Sequence, residues 1–274
     1  MTLKPGVYMA TKLNGEIYYR SSITFQSKHI SLGSFETEKS AHKAYVEASN
    51  ILFHNRYSFD HYNKNKFELP FDKWVVLLNY RDNNMYIKTP IYMKHRYFIY
   101  YLSATELLKF DVDDLFYYSK HKIMKRGGHL FVSDYGMQVN ILSRYGIKNF
   151  SVAGKDYRFA NGDTTDYRYG NIQIINHYHG VSKLIKNGIT TYETKIHING
   201  NLLVGRYPSE VEAAIAYNKA ATLLCSNGLD KNFPQNYVLE LDEISYATLY
   251  NKVRISKKVR DYPARNEDHE TTIG

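Results

Sequence analysis

The most informative stretch of the sequence is SLGSFETEKSAHKAYVEASNILF, residues 31–53. The same order of residue types recurs in LVGRYPSEVEAAIAYNKAATLLC, residues 203–225. In each segment a strand-like run ends at a glycine, an aromatic follows two positions later, and a threonine or serine then precedes a run of alanines. Thr37 and Ser209 are favourable helix N-caps, and only Ser209 is followed three residues later by a capping-box glutamate, Glu212. A pattern of this length that occurs twice predicts two copies of one structural unit.

Both predicted helices place small and apolar residues on one face. These residues recur with the 3.6-residue period of an amphipathic helix, and alanines on the inner face allow a helix backbone to lie close to a sheet. The predicted inner residues are Ala41, Ala44, Tyr45, Ala48 and Leu52 in the first copy and Ala213, Ala216, Tyr217, Ala220 and Leu224 in the second.

Three predicted strands precede each helix. Both copies start with Gly-Val, at residues 6 and 180, and continue through IYYRSSITFQSKHISLGSF at 17–35 or TTYETKIHINGNLLVGRY at 190–207. A polar turn, QSK or NGN, separates the middle strand from the last one. Each copy therefore predicts three antiparallel strands covered on one side by one helix. The apolar residues that mark the middle strand are Tyr19 and Ile23 in the first copy and Tyr192 and Ile196 in the second.

The two copies divide the chain into four predicted segments of an α+β protein. These are a module at 1–60, a central domain at 61–178, a second module at 179–237, and a helix with a flexible tail at 238–274. In the central domain the apolar runs at 75–78, 85–87 and 97–101 predict strands, and residues 111–118 predict a short helix with Leu115 and Phe116 buried. Gly127-Gly128 predicts a turn, residues 129–147 after it alternate like a hairpin, and residues 238–253 predict one amphipathic helix. The apolar positions of that last helix are Leu239, Leu241, Ile244, Leu249 and Val253.

Composition favours a polyanionic partner. The formal net charge is +9 at pH 7, and lysine and arginine release counterions when they contact phosphates. One cysteine, Cys225, excludes an internal disulfide framework, is typical of a reducing cytosol, and is predicted to pack in the core. Neither an apolar signal region nor a membrane-spanning run is evident, so we expect a cytoplasmic protein without a membrane partner.

The repeated pattern of Gly-Val, a Tyr-x-x-x-Ile strand, a strand ending in Leu-Gly-Ser-Phe-Glu-Thr and an Ala-x-x-Ala-Tyr-x-x-Ala helix resembles the Apetala-two/ethylene-response-factor DNA-binding domain. The resemblance covers about residues 5–57 and 179–235, and that domain also accompanies bacterial and phage homing endonucleases. It implies that the exposed face of each sheet lies in the DNA major groove. The residues that would face the groove are Tyr8, Lys12, Thr24, His29 and Ser31 in the first copy and Ser182, Lys186, Lys195, His197 and Asn201 in the second.

In the central domain, residues 161–172, NGDTTDYRYGNI, are similar to the HNH homing-endonuclease signature D-H-x-N-G-D-x-x-D-N-R-x-x-N-L at the same spacing. The upstream region FDVDDLFYYSKHKIMKRGGHLFVSDYG also resembles that family, so that the likeness covers about residues 85–176. The motif remnant comprises Arg158, Phe159, Asn161, Asp163, Asp166 and Asn171.

The resemblance implies that the nuclease chemistry has been lost. In this chemistry a histidine activates water, and oxygen ligands hold a divalent cation. Arg158 stands where the family has its metal-binding aspartate, Phe159 replaces the base, and Tyr167 replaces an orienting asparagine. The upstream family histidine falls on Ser143 beside Arg144. Phenylalanine cannot accept a proton and arginine repels a divalent cation, so we expect no catalysis, no metal and no cofactor.

Other polar residues receive structural interpretations. We expect Asn161, Asp163 and Asp166 to maintain the loop, because Asx side chains satisfy turn backbone. His177 and His179 form a His-x-His pair, which we interpret as a solvated linker. The turn around Lys122, Lys125 and Arg126 is either a phosphate-contacting loop or a solvated hairpin. The basic residues of the tail likewise either contact phosphates or are solvated. Those tail residues are Arg254, Lys257, Lys258 and Arg260.

The sequence thus favours a non-catalytic protein that binds double-stranded DNA, such as a phage or mobile-element regulator derived from a homing endonuclease. A viral accessory protein that inhibits a host defence protein is the alternative, favoured by the missing arginines on both predicted faces and compatible with the 27 tyrosines. An active metal-dependent nuclease is the third hypothesis.

Overall fold

A computed structural model of the chain describes residues 3–149 and 151–262. The described part is α+β, as predicted, with five small sheets and six α-helices. The chain folds into two compact units, the first comprising Met1–Ile141 with Phe159–Asn171 and the second comprising Leu142–Arg158 with Ile172–Gly274. None of the described helices is long and apolar enough to cross a lipid bilayer.

The first unit begins with the predicted sheet and helix. Strands β1 (Val7–Thr11), β2 (Ile17–Phe25) and β3 (Lys28–Phe35) pair antiparallel in that order, and helix α1 (Glu38–Leu52) packs on one side. Thr37 caps α1, since its hydroxyl accepts a hydrogen bond from the Ser40 amide at 3.1 Å. The predicted inner alanines Ala41, Ala44 and Ala48 are fully buried, so the three strands and the helix predicted for the first copy are confirmed.

Strands and helices of the central region follow. They are α2 (Phe71–Asn83), β4 (Ile91–Met93), β5 (Tyr97–Tyr101), β6 (Leu107–Asp111), α3 (Leu115–Lys120), β7 (Ile123–Arg126), β8 (His129–Asp134) and β9 (Met137–Asn140). Two sheets with the strand orders β4-β5-β6 and β7-β8-β9 result. The predicted strand at 97–101 is confirmed. The turn at Gly127-Gly128 joins β7 to β8, and β8 and β9 form the hairpin predicted after it.

Three central predictions are wrong. Residues 75–78 lie in the middle of helix α2, whose residues 74–80 are all buried, and 85–87 form no strand. An apolar run that is buried on all sides has no helical period, so a strand and a helix are indistinguishable from it. In α3, Phe116 is 73% exposed, Leu115 is only half-buried, and Tyr118 is the fully buried residue. Tyr118 packs against Phe110, with ring centroids 4.4 Å apart.

The second unit contains the second module. Its elements, with the short strands before it, are β10 (Tyr157–Phe159), β11 (Ile172–Ile174), β12 (Val181–Lys186), β13 (Ile189–His197), β14 (Asn201–Tyr207), α4 (Glu210–Ser226), α5 (Glu243–Lys252) and α6 (Lys257–Arg260). Strand β10 ends at Phe159, which belongs to the first unit. The order β12-β13-β14 and the helix α4 repeat the first module, and Ser209 caps α4 by accepting from the Glu212 amide at 3.1 Å. The three strands and the helix predicted for the second copy are confirmed.

A glycine at the start of each module explains the paired Gly-Val and Ala-Tyr motifs. Gly6 and Gly180 have φ angles of 75° and 71°, in the left-handed region that favours glycine. A Cβ atom on Gly6 would lie 2.0 Å from Cδ2 of Tyr45, and one on Gly180 would lie 2.4 Å from Cδ2 of Tyr217. Each helix tyrosine therefore covers a glycine where no side chain fits.

The C-terminal predictions need correction. Helix α5 begins only at Glu243, after the Asp242 N-cap, and Leu239 and Ile244 are exposed rather than packed. The chain after α5 is anchored, since Ile255 and Val259 are buried in the core of the second unit. The prediction of a flexible tail is therefore wrong for residues 255–262, and for residues 263–274 it lies outside the described residues.

Candidate nucleic-acid interface

The outer side of the first sheet, opposite to its helix-covered side, presents alternate residues of all three strands. Directly opposed residues share a side of a sheet, and the register pairs Tyr8 with Arg20, Arg20 with Ser34, and Thr24 with His29. All five are exposed, and we call them the first face. Four of the predicted DNA-contacting residues occupy this side of the sheet: Tyr8, Thr24, His29 and Ser31.

Arg20, the cation at the centre of the first face, was missed by the sequence analysis. It lies on β2 two and four residues before Ser22 and Thr24, so the alternation that selected Thr24 also selects Arg20. Within the described residues its guanidinium has no carboxylate partner. Lys12, in contrast, lies in the turn after β1 and forms an ion pair with Glu16 at 2.9 Å. Arg20 is therefore the available cation of this face.

The second sheet has the same register with different side chains. Ser182 is opposite Glu193, Glu193 is opposite Arg206, and His197 is opposite Asn201. We call the outer side of this sheet the second face. Its members are Ser182, Leu184, Lys186, Ile189, Thr191, Glu193, Lys195, His197, Asn201, Leu203 and Arg206.

Glu193 occupies the centre of the second face, at the position that corresponds to Arg20. Its carboxylate accepts from Lys195 Nζ at 2.5 Å and from Arg206 Nη2 at 2.8 Å. The hydrogen bond from Lys195, with that from Arg206, lowers the pKa of Glu193, so the carboxylate is ionised at neutral pH. Because these two cations neutralise an anion of their own chain, they are less available to a phosphate than Arg20 is.

The basic turn of the central region is also partly neutralised. Lys122 Nζ lies 3.5 Å from Asp72 Oδ2, and Lys125 pairs with Glu106. Arg126 is exposed and, within the described part of the chain, has no acidic partner. The turn therefore offers one free cation rather than three.

Residues 161–171 form a loop that is closed by its own polar side chains. Lys109 Nζ donates to Asp163 Oδ2 at 2.8 Å, and Arg168 Nη2 donates to Asp166 Oδ2 at 2.6 Å. Asn171 Oδ1 accepts from the Asn161 amide at 2.8 Å. As predicted, the loop backbone is satisfied by Asx side chains, because Oδ1 atoms of Asn161, Asp163 and Asp166 each accept from the amide two residues later.

The carboxylates of this loop are committed to cations of the chain. The bond from Lys109 lowers the pKa of Asp163 to about 2, and the bond from Arg168 lowers that of Asp166. The Phe159 ring packs edge-on against Tyr167, with centroids 5.5 Å apart. Among the residues described, no group of three histidine, cysteine, aspartate or glutamate side chains is placed to hold a metal ion.

Three other expectations can be compared with the structure. Arg158 donates from Nε to Gln173 Oε1 at 2.9 Å, and Ser143 and Arg144 lie in a 3-10 helix, Ile141–Tyr145. The His177–His179 stretch is fixed rather than a solvated linker, because the Glu210 carboxylate accepts from the His177 amide at 2.8 Å and the intervening tyrosine is buried. Cys225 is exposed in the last turn of α4, so its predicted core position is wrong.

Comparison of the chain with family models, with curated proteins and with solved structures finds no significant match.

Proposed function

We propose that this protein binds double-stranded DNA through the outer sides of its two three-stranded sheets and does not cleave it. The observation that carries the proposal is the common register of the two sheets, which collects polar and basic side chains on the side opposite to each helix. A two-dimensional array of this kind matches the width of the major groove, and a net charge of +9 attracts a polyanion. The likeness to the Apetala-two/ethylene-response-factor domain supports the same partner.

The two faces contribute unequally in this proposal. Arg20 has its full guanidinium fork available for phosphate or guanine, whereas Lys195 and Arg206 are shared with Glu193. Removal of Arg20 should therefore weaken DNA binding more than removal of Lys195. His29 and Tyr8 supply polar groups beside Arg20 on the first face.

The experiment compares Arg20→Ala with Lys39→Ala, which removes an exposed charge from helix α1 on the opposite side of the same module. Binding to a random-sequence duplex is measured by fluorescence anisotropy at low salt. Arg20→Ala should weaken binding about 8-fold at ~0.1 M salt, the effect of one lost phosphate contact. Equal effects of the two variants would contradict a binding role for this face.

We also propose that residues 85–176, derived from an HNH homing endonuclease, no longer cleave DNA. This is supported by the identity of Arg158 and Phe159 and by the cations that occupy Asp163 and Asp166. Incubation with supercoiled plasmid and magnesium should leave the plasmid intact. Magnesium-dependent nicking that is lost in Asp163→Asn would refute this half of the proposal. We further propose that the protein acts as a phage or mobile-element regulator in the cytoplasm of the host cell.

A protein partner is the second candidate, and the second face favours it. Leu184, Ile189 and Leu203 are exposed on this face beside the neutralised cations, a mixture typical of protein interfaces. Capture from nuclease-treated lysate should then depend on these residues, so that Leu184→Glu abolishes capture of a defined protein. Retention of the same protein by the variant would contradict this candidate.

A further inference from the structure

A basic segment, residues 252–260, is anchored on the second module by apolar side chains. Val253, Ile255 and Val259 are at most 9% exposed and belong to the core of the second unit. The Ser256 amide donates to the Val204 carbonyl of β14 at 2.8 Å, and the Ser256 hydroxyl donates to the Leu203 carbonyl at 2.7 Å. The backbone of this segment therefore has a fixed position beside the sheet edge.

Lys219 of helix α4 fixes the entry to the segment. Its Nζ donates to the carbonyls of Tyr250, Asn251 and Val253 at 2.7, 3.3 and 2.8 Å. These carbonyls lie at the end of α5, where helix carbonyls lack intrahelical partners. Lys219 therefore acts as a C-terminal cap of α5 and fixes the orientation of the basic segment.

The charged side chains of the segment point away from the core. Lys252, Arg254, Lys257, Lys258 and Arg260 are all exposed, and Asp261 is the acid that follows them. None of the five cations forms an ion pair with a carboxylate within residues 3–149 and 151–262. Unlike Lys195 and Arg206, they have no anionic partner among the residues that the structure describes.

Three of these cations line a groove between the segment and helix α4. The groove has a volume of about 770 Å³, and Lys252, Arg254 and Arg260 contribute to its wall together with Thr222. Ser226 also lines it, but its hydroxyl donates to the Thr222 carbonyl at 2.9 Å. Hydroxyl groups and guanidinium forks are the side chains that bind phosphate oxygens. Lys257 and Lys258 belong to the same segment but lie outside the groove.

We propose that this groove, and not the second face, is the main phosphate-binding surface of the second unit, and that it binds the backbone of double-stranded DNA. The proposal rests on the proposed DNA-binding function and names a further surface for it. Three cations without a carboxylate partner in the described part of the chain, together with the Thr222 hydroxyl, favour a phosphodiester backbone, and the fixed segment lowers the entropy lost on binding. Contacts there add affinity without sequence preference, since phosphates carry no base identity.

The test compares two double variants with the same loss of charge. Arg254→Gln/Arg260→Gln removes two cations from the groove, and Lys257→Gln/Lys258→Gln removes two from the same segment outside it. Affinity for a random-sequence duplex is measured across about 50 to 200 mM salt. Loss of two phosphate contacts predicts an affinity about 60-fold lower at ~0.1 M salt and a log–log salt slope shallower by ~1.8. The control pair should change affinity less than about 3-fold.

Further arms separate the explanations. Arg254→Lys/Arg260→Lys keeps the charge and should keep the salt slope, and a thermal melt of each variant excludes unfolding as the cause. Equal losses in the two glutamine pairs would show a general charge effect and overturn the proposal. If Arg20→Ala weakens binding while the groove pair does not, the proposed function stands and this groove does not. A wild-type chain that binds no duplex at any salt refutes both.

Discussion

Replacement of Glu193 by glutamine should increase DNA affinity, although it removes two ion pairs. The cluster of Lys195, Glu193 and Arg206 has a formal charge of +1, two cations and one anion, and becomes +2 in the variant. One additional phosphate contact steepens the log–log salt slope by ~0.9 and raises affinity about 8-fold at ~0.1 M salt. The gain arises because both cations are released toward the solvent side of the sheet.

The same change should cost some stability. The Glu193 side chain is only 9% exposed, whereas its partners are half-exposed or more, so the pairs are partly screened. We expect a loss of about 1 kcal/mol, or ~2–4 °C in melting temperature for a domain of this size. A general structural defect would lower both DNA affinity and stability. A gain in affinity together with a loss of stability therefore distinguishes the electrostatic effect from such a defect.

The assay is fluorescence anisotropy with a labelled random-sequence duplex, repeated at several salt concentrations. Glu243→Gln is the matched control, because it removes one exposed carboxylate from the first turn of α5, away from the second face. Glu193→Gln should bind more tightly than this control by several-fold. Equal affinity of the two variants, or a weaker Glu193→Gln variant, would refute the electrostatic argument for the second face.

Three further outcomes follow from local geometry and are checked by thermal or denaturant unfolding. Gly180→Ala should lower the free energy of unfolding by about 2–4 kcal/mol, because the new Cβ would lie 2.3 Å from the Lys195 carbonyl oxygen in a left-handed conformation. Gly188→Ala has the same backbone strain but open space around it, so it should lose only about 1–2 kcal/mol. Equal losses would be inconsistent with the clash. The Lys109 ammonium lowers the pKa of Asp163 from 3.8 to about 2, so the Asp163 carboxylate stabilises the fold above pH 4 and this contribution disappears as the pH falls through 2. Asp163→Asn should therefore flatten the acid side of a plot of unfolding free energy against pH. An unchanged acid side would contradict the pairing. Lys148→Met should raise the melting temperature by a few degrees. Burial lowers the pKa of Lys148 to about 8, and its Nζ lacks a hydrogen-bond partner in the described residues. An unchanged or lower melting temperature would show that the ammonium does have hydrogen-bond partners.

The repeated modules could be predicted from the sequence because local signals agreed with one another. Alternating residues, an N-cap and alanines at helical spacing all indicated the same three strands and one helix at Thr37 and Ser209. Helix α2 could not be recognised, since its seven consecutive buried residues, 74–80, have no polar face to reveal the helical period.

The charge pairing of the site was beyond sequence analysis. Lys195 and Glu193 are two residues apart on one strand, but Arg206 joins them only through the register of β13 with β14. The irregularity between Thr194 and Lys195 shifts that register by one residue, which side-chain alternation alone does not predict. Similarly, the basic C-terminal segment looked solvated because the core contacts of Val259 are distant in sequence.

The salt dependence of wild-type DNA binding shows whether exposed cations of this chain bind a phosphate backbone. Arg20, Lys186, Lys252, Arg254 and Arg260 are exposed cations without a carboxylate partner in the described part of the chain, so about three to five phosphate contacts are expected. Binding through these cations predicts a slope of log affinity against log salt between about −2.7 and −4.5. A slope close to zero, or no binding to duplex at low salt, would contradict it.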